Sequence, residues 1–240
     1  MTDLFGLDDA QLAGLVESGL PYARAFARVL PTASLVPALS MRGAPTSLRV
    51  ALALALAAPL APAMAVHLPS GSTGIAWLLL SDAISGLPLA IVLGTPLWIA
   101  AHVGAIADAL RGAPEVTQAA PPAGEGARGT LATLAALLAA SAWLASGGVV
   151  RALTLLAVAS PRAGAAPFAL AARALADGLR TGVAASAGVL VAMIALEVAL
   201  AALGRSAAPL SPQPIATVAR PVVSVLALAF SLEAIGRLVS

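Results

Sequence analysis

A chain of 240 residues that is 60% hydrophobic, only 10% charged and of mean hydropathy +0.97 has too little polar surface for a water-soluble domain, in which roughly 25% of residues are charged. The net charge is only +2, and the 13 basic residues are all arginines, scattered singly, which excludes a nucleic-acid-binding face. Cysteine is absent, so a disulfide framework, an iron–sulfur cluster and a thiolate metal site are excluded as well.

Residues 1–19 hold Asp3, Asp8, Asp9 and Glu17 and read as a short polar helix or tail. This end is acidic where a secretory signal is basic, so targeting is expected to rest with the first apolar segments. Residues 20–40 are apolar but carry Arg24 and Arg28 four apart, bounded by Pro21, Pro31 and Pro37. Two arginines on one helix face are costly in lipid, so this stretch is expected at an interface or packed within protein. A second apolar element covers 46–66, with Arg49 near its start and with Pro59 and Pro62 expected to kink or end it. A turn is expected from His67 to Ser72.

From Ile75 to Ala107 only Asp82 and His102 are ionisable. One helix of that length runs about 50 Å, against a hydrocarbon core of about 30 Å. Gly86, Pro88, Gly94 and Pro96 lie inside it, so 75–111 is expected as two helices meeting near Gly94–Pro96. Residues 112–129, rich in Gly and Pro and carrying Glu115 and Glu125, read as a solvent loop. Residues 130–159 are apolar again, interrupted by Gly147-Gly148 and then Arg151. Residues 167–182 are amphipathic, with Arg173, Asp177 and Arg180, and 183–204 form the cleanest span. A Pro-rich linker over 206–216 precedes a last helix at 217–238. With aromatics at 3% and no alternating pattern, an outer-membrane barrel does not fit. The fold class is all-α: one integral membrane domain of six to eight apolar helical segments, several broken or kinked.

Asp82, Gly86, Ala90 and Gly94 recur every four residues and share one helix face, as do Ala100, Gly104, Asp108 and Gly112, and Gly178, Gly182 and Ser186. Small residues at this spacing admit a neighbouring backbone, and a carboxylate on the same face must meet protein or water. The pattern fits tightly packed helix interfaces with buried polar pins, between subunits or within the chain. Glu197, inside the cleanest span, reads as an ion-coupled carboxylate or as the partner of an arginine on a facing helix or subunit. Glu233 and Arg237 have the spacing of a local pair. His67 and His102 have no second ligand at metal-binding spacing. No phosphate loop, dinucleotide fingerprint or nucleophile elbow occurs, so no enzyme and no cofactor is expected.

The order of features resembles the FliR/SctT family of type III protein-export membrane components. The resemblance is carried by Ala27-Arg28-Val29-Leu30-Pro31, by Arg49-Val50-Ala51-Leu52 onward, and by Leu80-Ser81-Asp82-Ala83-Ile84-Ser85-Gly86, with Asp where the family usually has Glu. Gly104-Ala105-Ile106-Ala107-Asp108-Ala109-Leu110-Arg111-Gly112 is similar to the Gly–x–x–x–Asp–x–x–Arg–Gly element of the injectisome branch, SctT. Gly147-Gly148 with Ser160 and Pro167, and Arg205-Ser206-Ala207-Ala208-Pro209, are similar to later family elements, although the family's Asn after that proline is missing. The resemblance implies a non-enzymatic inner-membrane subunit of the export gate, flagellar or injectisome. Its implied partners are R-, S-, Q- and U-type membrane subunits and the unfolded secreted proteins in transit, with no nucleic acid. On that reading Asp82 and Asp108 are expected to pin interfaces to neighbouring subunits. The rival reading is a small transporter coupled to ions through Glu197 or Asp82, for which no inverted repeat is evident.

Overall fold

Runs of alanine and leucine, good helix formers, fill the apolar segments, and the computed structural model is helical accordingly. It describes residues 9–40, 45–65, 74–112, 129–158, 166–206 and 213–239. The elements are α1 (Asp9–Leu35), α2 (Pro37–Ser40), α3 (Thr46–Ala57), a 3-10 turn at Ala58–Leu60, α4 (Ala61–Ala65), α5 (Ile75–Leu110), α6 (Thr130–Ala145), α7 (Gly148–Val158), α8 (Ala166–Ser206) and α9 (Gln213–Val239). No strand occurs among the described residues.

Several expected breaks are absent. Helix α1 passes through Pro21 and Pro31 and absorbs the described part of the supposed polar tail. Each proline forfeits one backbone hydrogen bond, but Ala25, Val29 and Ala33 are fully packed in a core with Ala53, Ala57, Leu60 and Met64, and tertiary burial outweighs local propensity. Pro59 yields only the 3-10 turn, and the helix resumes through Pro62. Helix α5 is continuous for 36 residues, across Gly94–Pro96. The amphipathic 167–182 segment and the 183–204 span form one 41-residue helix. Helix α9 starts at Gln213 rather than 217, because Pro214 falls in the first turn, where its missing N–H costs nothing. The expected break at Gly147 is present: this glycine has φ +77°, in the left-handed region. The turn at His67–Ser72 and most of the 112–129 loop lie outside the described residues.

Four helical stretches are long and apolar enough to cross a membrane: Thr46–Ala65, Ile75–Leu110, Pro167–Ser206 and Gln213–Ser231. The broken pair α6 and α7 adds a fifth if taken as one span. Many of their outward side chains are large and apolar, among them Trp77, Leu137, Val191, Val218 and Phe230. At 1.5 Å per residue α8 is about 61 Å long, twice the hydrocarbon thickness. Arg173, Asp177 and Arg180, all exposed, lie in its first half, and such charges are costly in lipid.

The chain divides into two compact units. One comprises the residues up to Gly94 with Gly147–Arg173, and the other Thr95–Ser146 with Ala174 onward. Two of the crossings fall inside helices α5 and α8. The first unit packs α1 against α3 and α4. The second packs α6 against α9 and buries Leu97, Val103, Leu131, Trp143, Val189 and Met193.

The two kinds of glycine predict opposite substitution effects. Gly147→Ala forces a side chain into the left-handed region and lowers stability by about 1–2 kcal/mol. Gly19, within α1 and with open space around an added Cβ, gains about 0.5–1 kcal/mol as alanine. Thermal unfolding in mild detergent reads both, as a fall and a rise in Tm.

Candidate functional site

Asp82 is fully buried on α5. Arg24 Nε donates to its Oδ2 at 2.7 Å, and Arg28 Nη2 donates to its Oδ1 at 2.5 Å. The arginines, one turn apart on α1, are themselves 3% and 1% exposed. Each arginine also spends a second N–H on a helix end: Arg24 Nη1 donates to the Met64 carbonyl and Arg28 Nη1 to the Leu156 carbonyl, both at 3.3 Å. Met64 is in the last turn of α4 and Leu156 in the last turn of α7. A helix C-terminus presents about half a negative charge, which suits these two guanidinium groups. One turn beyond Asp82, Gly86 lies so close to α1 that a Cβ would strike the Arg28 carbonyl oxygen, with the Arg28 carbonyl carbon at 3.1 Å. The acid and the glycine of the Asp82–x–x–x–Gly86 element thus bind the same residue of α1, one by charge and one by close approach.

The second acid repeats this logic in the other unit. Gly104 on α5 brings the α6 backbone to where a Cβ would meet Leu131 O at 2.6 Å and Ala132 Cα at 2.7 Å. Asp108, one turn on and fully buried, accepts from Leu131 N at 3.2 Å and Ala132 N at 2.8 Å. It therefore caps the N-terminus of α6 from a different helix. The residue at the cap position is Gly129, which makes no side-chain cap of its own. Its Cβ would fall on the Asp108 carboxylate, so the glycine vacates the space that the acid fills. Arg111 donates to Asp108 Oδ1 through Nε at 2.8 Å and to Thr130 Oγ1 through Nη2. Gly112, at φ +71°, ends α5 immediately after, its N–H bonding the Ala109 carbonyl. All four motif residues of Gly104–Asp108–Arg111–Gly112 therefore act within one junction.

Glu197 on α8 forms a two-point ion pair with Arg220 on α9: Nε to Oε1 at 2.8 Å and Nη2 to Oε2 at 3.2 Å. This pair is open, with the two side chains 50% and 40% exposed. Gly178 and Gly182 make room on α8 for Thr95 and Ile99 of α5. Gly148 is the buried first residue of α7, and Arg205 is exposed in the last turn of α8, where a cation suits the helix end. Pro209 and the Arg237 side chain lie outside the described residues.

Within the chain, the carboxylates of both Asp82 and Asp108 are enclosed and bonded to its own helices. The carboxylates required by a transporter are engaged as well, Asp82 by two arginines and Glu197 by one. Among the described residues no group of three His, Cys, Asp or Glu side chains is placed to hold a metal. Sequence reading missed Gly129, Thr130 and Arg220. The available signal for Gly129 was a glycine just ahead of an apolar run with no capping carboxylate of its own.

The fold and these clusters define a polytopic all-α membrane protein whose buried charges are sheltered by its own helices. Residues 20–240 match the family described as Bacterial export proteins, family 1, and the chain belongs to that family, the FliR/SctT family it resembles in sequence. It is a bacterial export-apparatus membrane protein, of a family that is generally non-enzymatic. No curated protein matches the chain.

Removing the hub acid strands two buried guanidinium groups. Asp82→Ala is expected to cost about 3–5 kcal/mol, whereas replacing Arg24, Arg28 and Asp82 together with apolar residues of similar size restores most of the loss; unfolding in detergent separates the two outcomes. At the second junction Gly129→Ala and Asp108→Ala each lose about 1–3 kcal/mol. Because the added methyl collides with the carboxylate itself, the double mutant is expected to lose less than the sum of the two single losses.

Proposed function

We propose that this chain is the SctT-type subunit of an injectisome, a non-enzymatic inner-membrane component of the type III export gate that helps to form the channel for unfolded substrate proteins. The observation that carries this reading is the Gly104–Asp108–Arg111–Gly112 junction, the element that resembles the injectisome branch, in a chain of the bacterial export family. Asp108 and Arg111 are one bonded unit here, so the element is a structural device rather than a chance run of common residues. The membrane setting is supported by four apolar spans, and the excess length of α5 and α8 suits helices held partly outside the bilayer, on the periplasmic side, by sister subunits. Those subunits are the R-, S-, Q- and U-type membrane proteins. The energy source and the ATPase belong to other components.

The test is affinity purification of the tagged chain in mild detergent from its native host, with mass spectrometry of co-purifying proteins and a secretion assay on a deletion strain. The expected result is recovery of export membrane subunits encoded beside needle genes, and loss of secreted effectors on deletion. Recovery beside hook and rod proteins, with loss of motility, would assign the chain to the flagellar branch instead.

A further inference from the structure

We propose that the Glu197–Arg220 pair is the polar centre of a docking site for a transmembrane helix of another subunit, one that carries a side-chain carboxamide (Asn or Gln) at mid-span. The proposal rests on the export-assembly reading and adds to it a surface and the chemistry of its occupant.

The first observation is depth. Arg220 lies about 10 Å along the axis from Gln213 and about 16 Å from Ser231, the ends of the apolar stretch of α9. The pair therefore sits near the middle of a helical stretch long and apolar enough to cross a membrane, yet the two side chains are 50% and 40% exposed. Acyl chains do not suit an open ion pair at that depth. Bulk water does not suit its surroundings either: Ile194 and Val198, both exposed, line the groove beside Glu197.

The second observation is an inventory of unused hydrogen-bonding groups. Arg220 spends Nε and Nη2 on Glu197, and its Nη1 has no partner among the described residues. Each Glu197 oxygen keeps a free lone pair. Pro221, having no N–H, cannot donate to the Thr217 carbonyl one turn back. The site thus offers one donor edge and several acceptors and is neutral overall. A carboxamide supplies both an acceptor and donors without bringing a new charge; a carboxylate or an ammonium on the occupant would be an unbalanced ion.

The third observation is shape. Glu197 lines two adjoining grooves. One, of about 360 Å³, is formed mainly by Leu110, Leu190, Met193, Ile194 and Val198. The other, of about 220 Å³, is formed with Leu200, Ala201, Ala216 and Arg220. A helix laid along them seats apolar side chains on both sides of the pair, the helix-in-groove mode of recognition.

The experiment uses the full chain in its host membrane. A photo-crosslinking amino acid replaces Ile194, Val198 or Ala201 in turn, and in parallel the variant E197L/R220L is purified with its partners. Expected are crosslinks from these positions to one membrane-spanning peptide of a co-purifying export subunit with Asn or Gln at the crosslinked depth. The double variant should keep the wild-type Tm while recovering that subunit with about a tenfold loss, as intramembrane polar contacts of this kind allow. Crosslinks only to lipid, to detergent or to a second copy of the chain overturn the docking site, and so does full partner recovery by E197L/R220L. A wild-type chain that captures no export subunit overturns the assembly reading itself, and the docking site with it. The crosslinking arm leaves the ion pair intact, so it decides the question even if the double variant fails to fold.

Discussion

Two guanidinium groups and one carboxylate, sealed from solvent between α1 and α5, set the terms for the first unit. Neither arginine is tolerable alone in an apolar interior; both bond Asp82, and further N–H groups bond the carbonyl ends of α4 and α7. A single polar cluster therefore ties four helices together. Loss of any participant would leave an uncompensated ion rather than merely a missing bond.

Both acidic elements of α5 solve the same problem in mirrored order. Asp82 precedes its glycine by one turn, and Asp108 follows its glycine by one turn. In each case the glycine lets a neighbouring backbone come within van der Waals contact, and the acid captures polar groups that this approach exposes. Close approach and polar capture reinforce each other: the carboxylate reaches backbone N–H groups of α6 only because Gly104 has no side chain to hold that helix away. Small-residue spacing in an apolar helix is usually explained by packing alone. Here it also positions ionised oxygens with hydrogen-bond accuracy.

Much of this was legible in the sequence. Composition and charge-free runs placed the chain in a membrane, and the four-residue spacing marked Asp82, Gly86, Gly104 and Asp108 as one kind of feature. Proline misled. Pro21, Pro31 and Pro96 read as breaks, yet α1 and α5 run through them, because tertiary packing outweighs the lost hydrogen bonds. The partners of each acid were illegible for a different reason. Asp82 is paired across more than fifty positions of sequence, and spacing rules describe neighbours on one helix, not residues on facing ones. Gly129 was hidden because the cap it accommodates comes from another element. Glu197 was legible as an ion-pair candidate, but Arg220 owes its role to the way α9 folds back along α8.

The long separation between Arg24, Arg28 and Asp82 has a consequence for biogenesis. The ribosome delivers both arginines well before the carboxylate that neutralises them, and the α7 carbonyl on which Arg28 relies comes later still. Lateral release of α1 into acyl chains as soon as it is made would leave two guanidinium groups bare. Helix α1 is not among the stretches long and apolar enough to cross a membrane by themselves, and its two arginines gain their carboxylate only once α5 has been made.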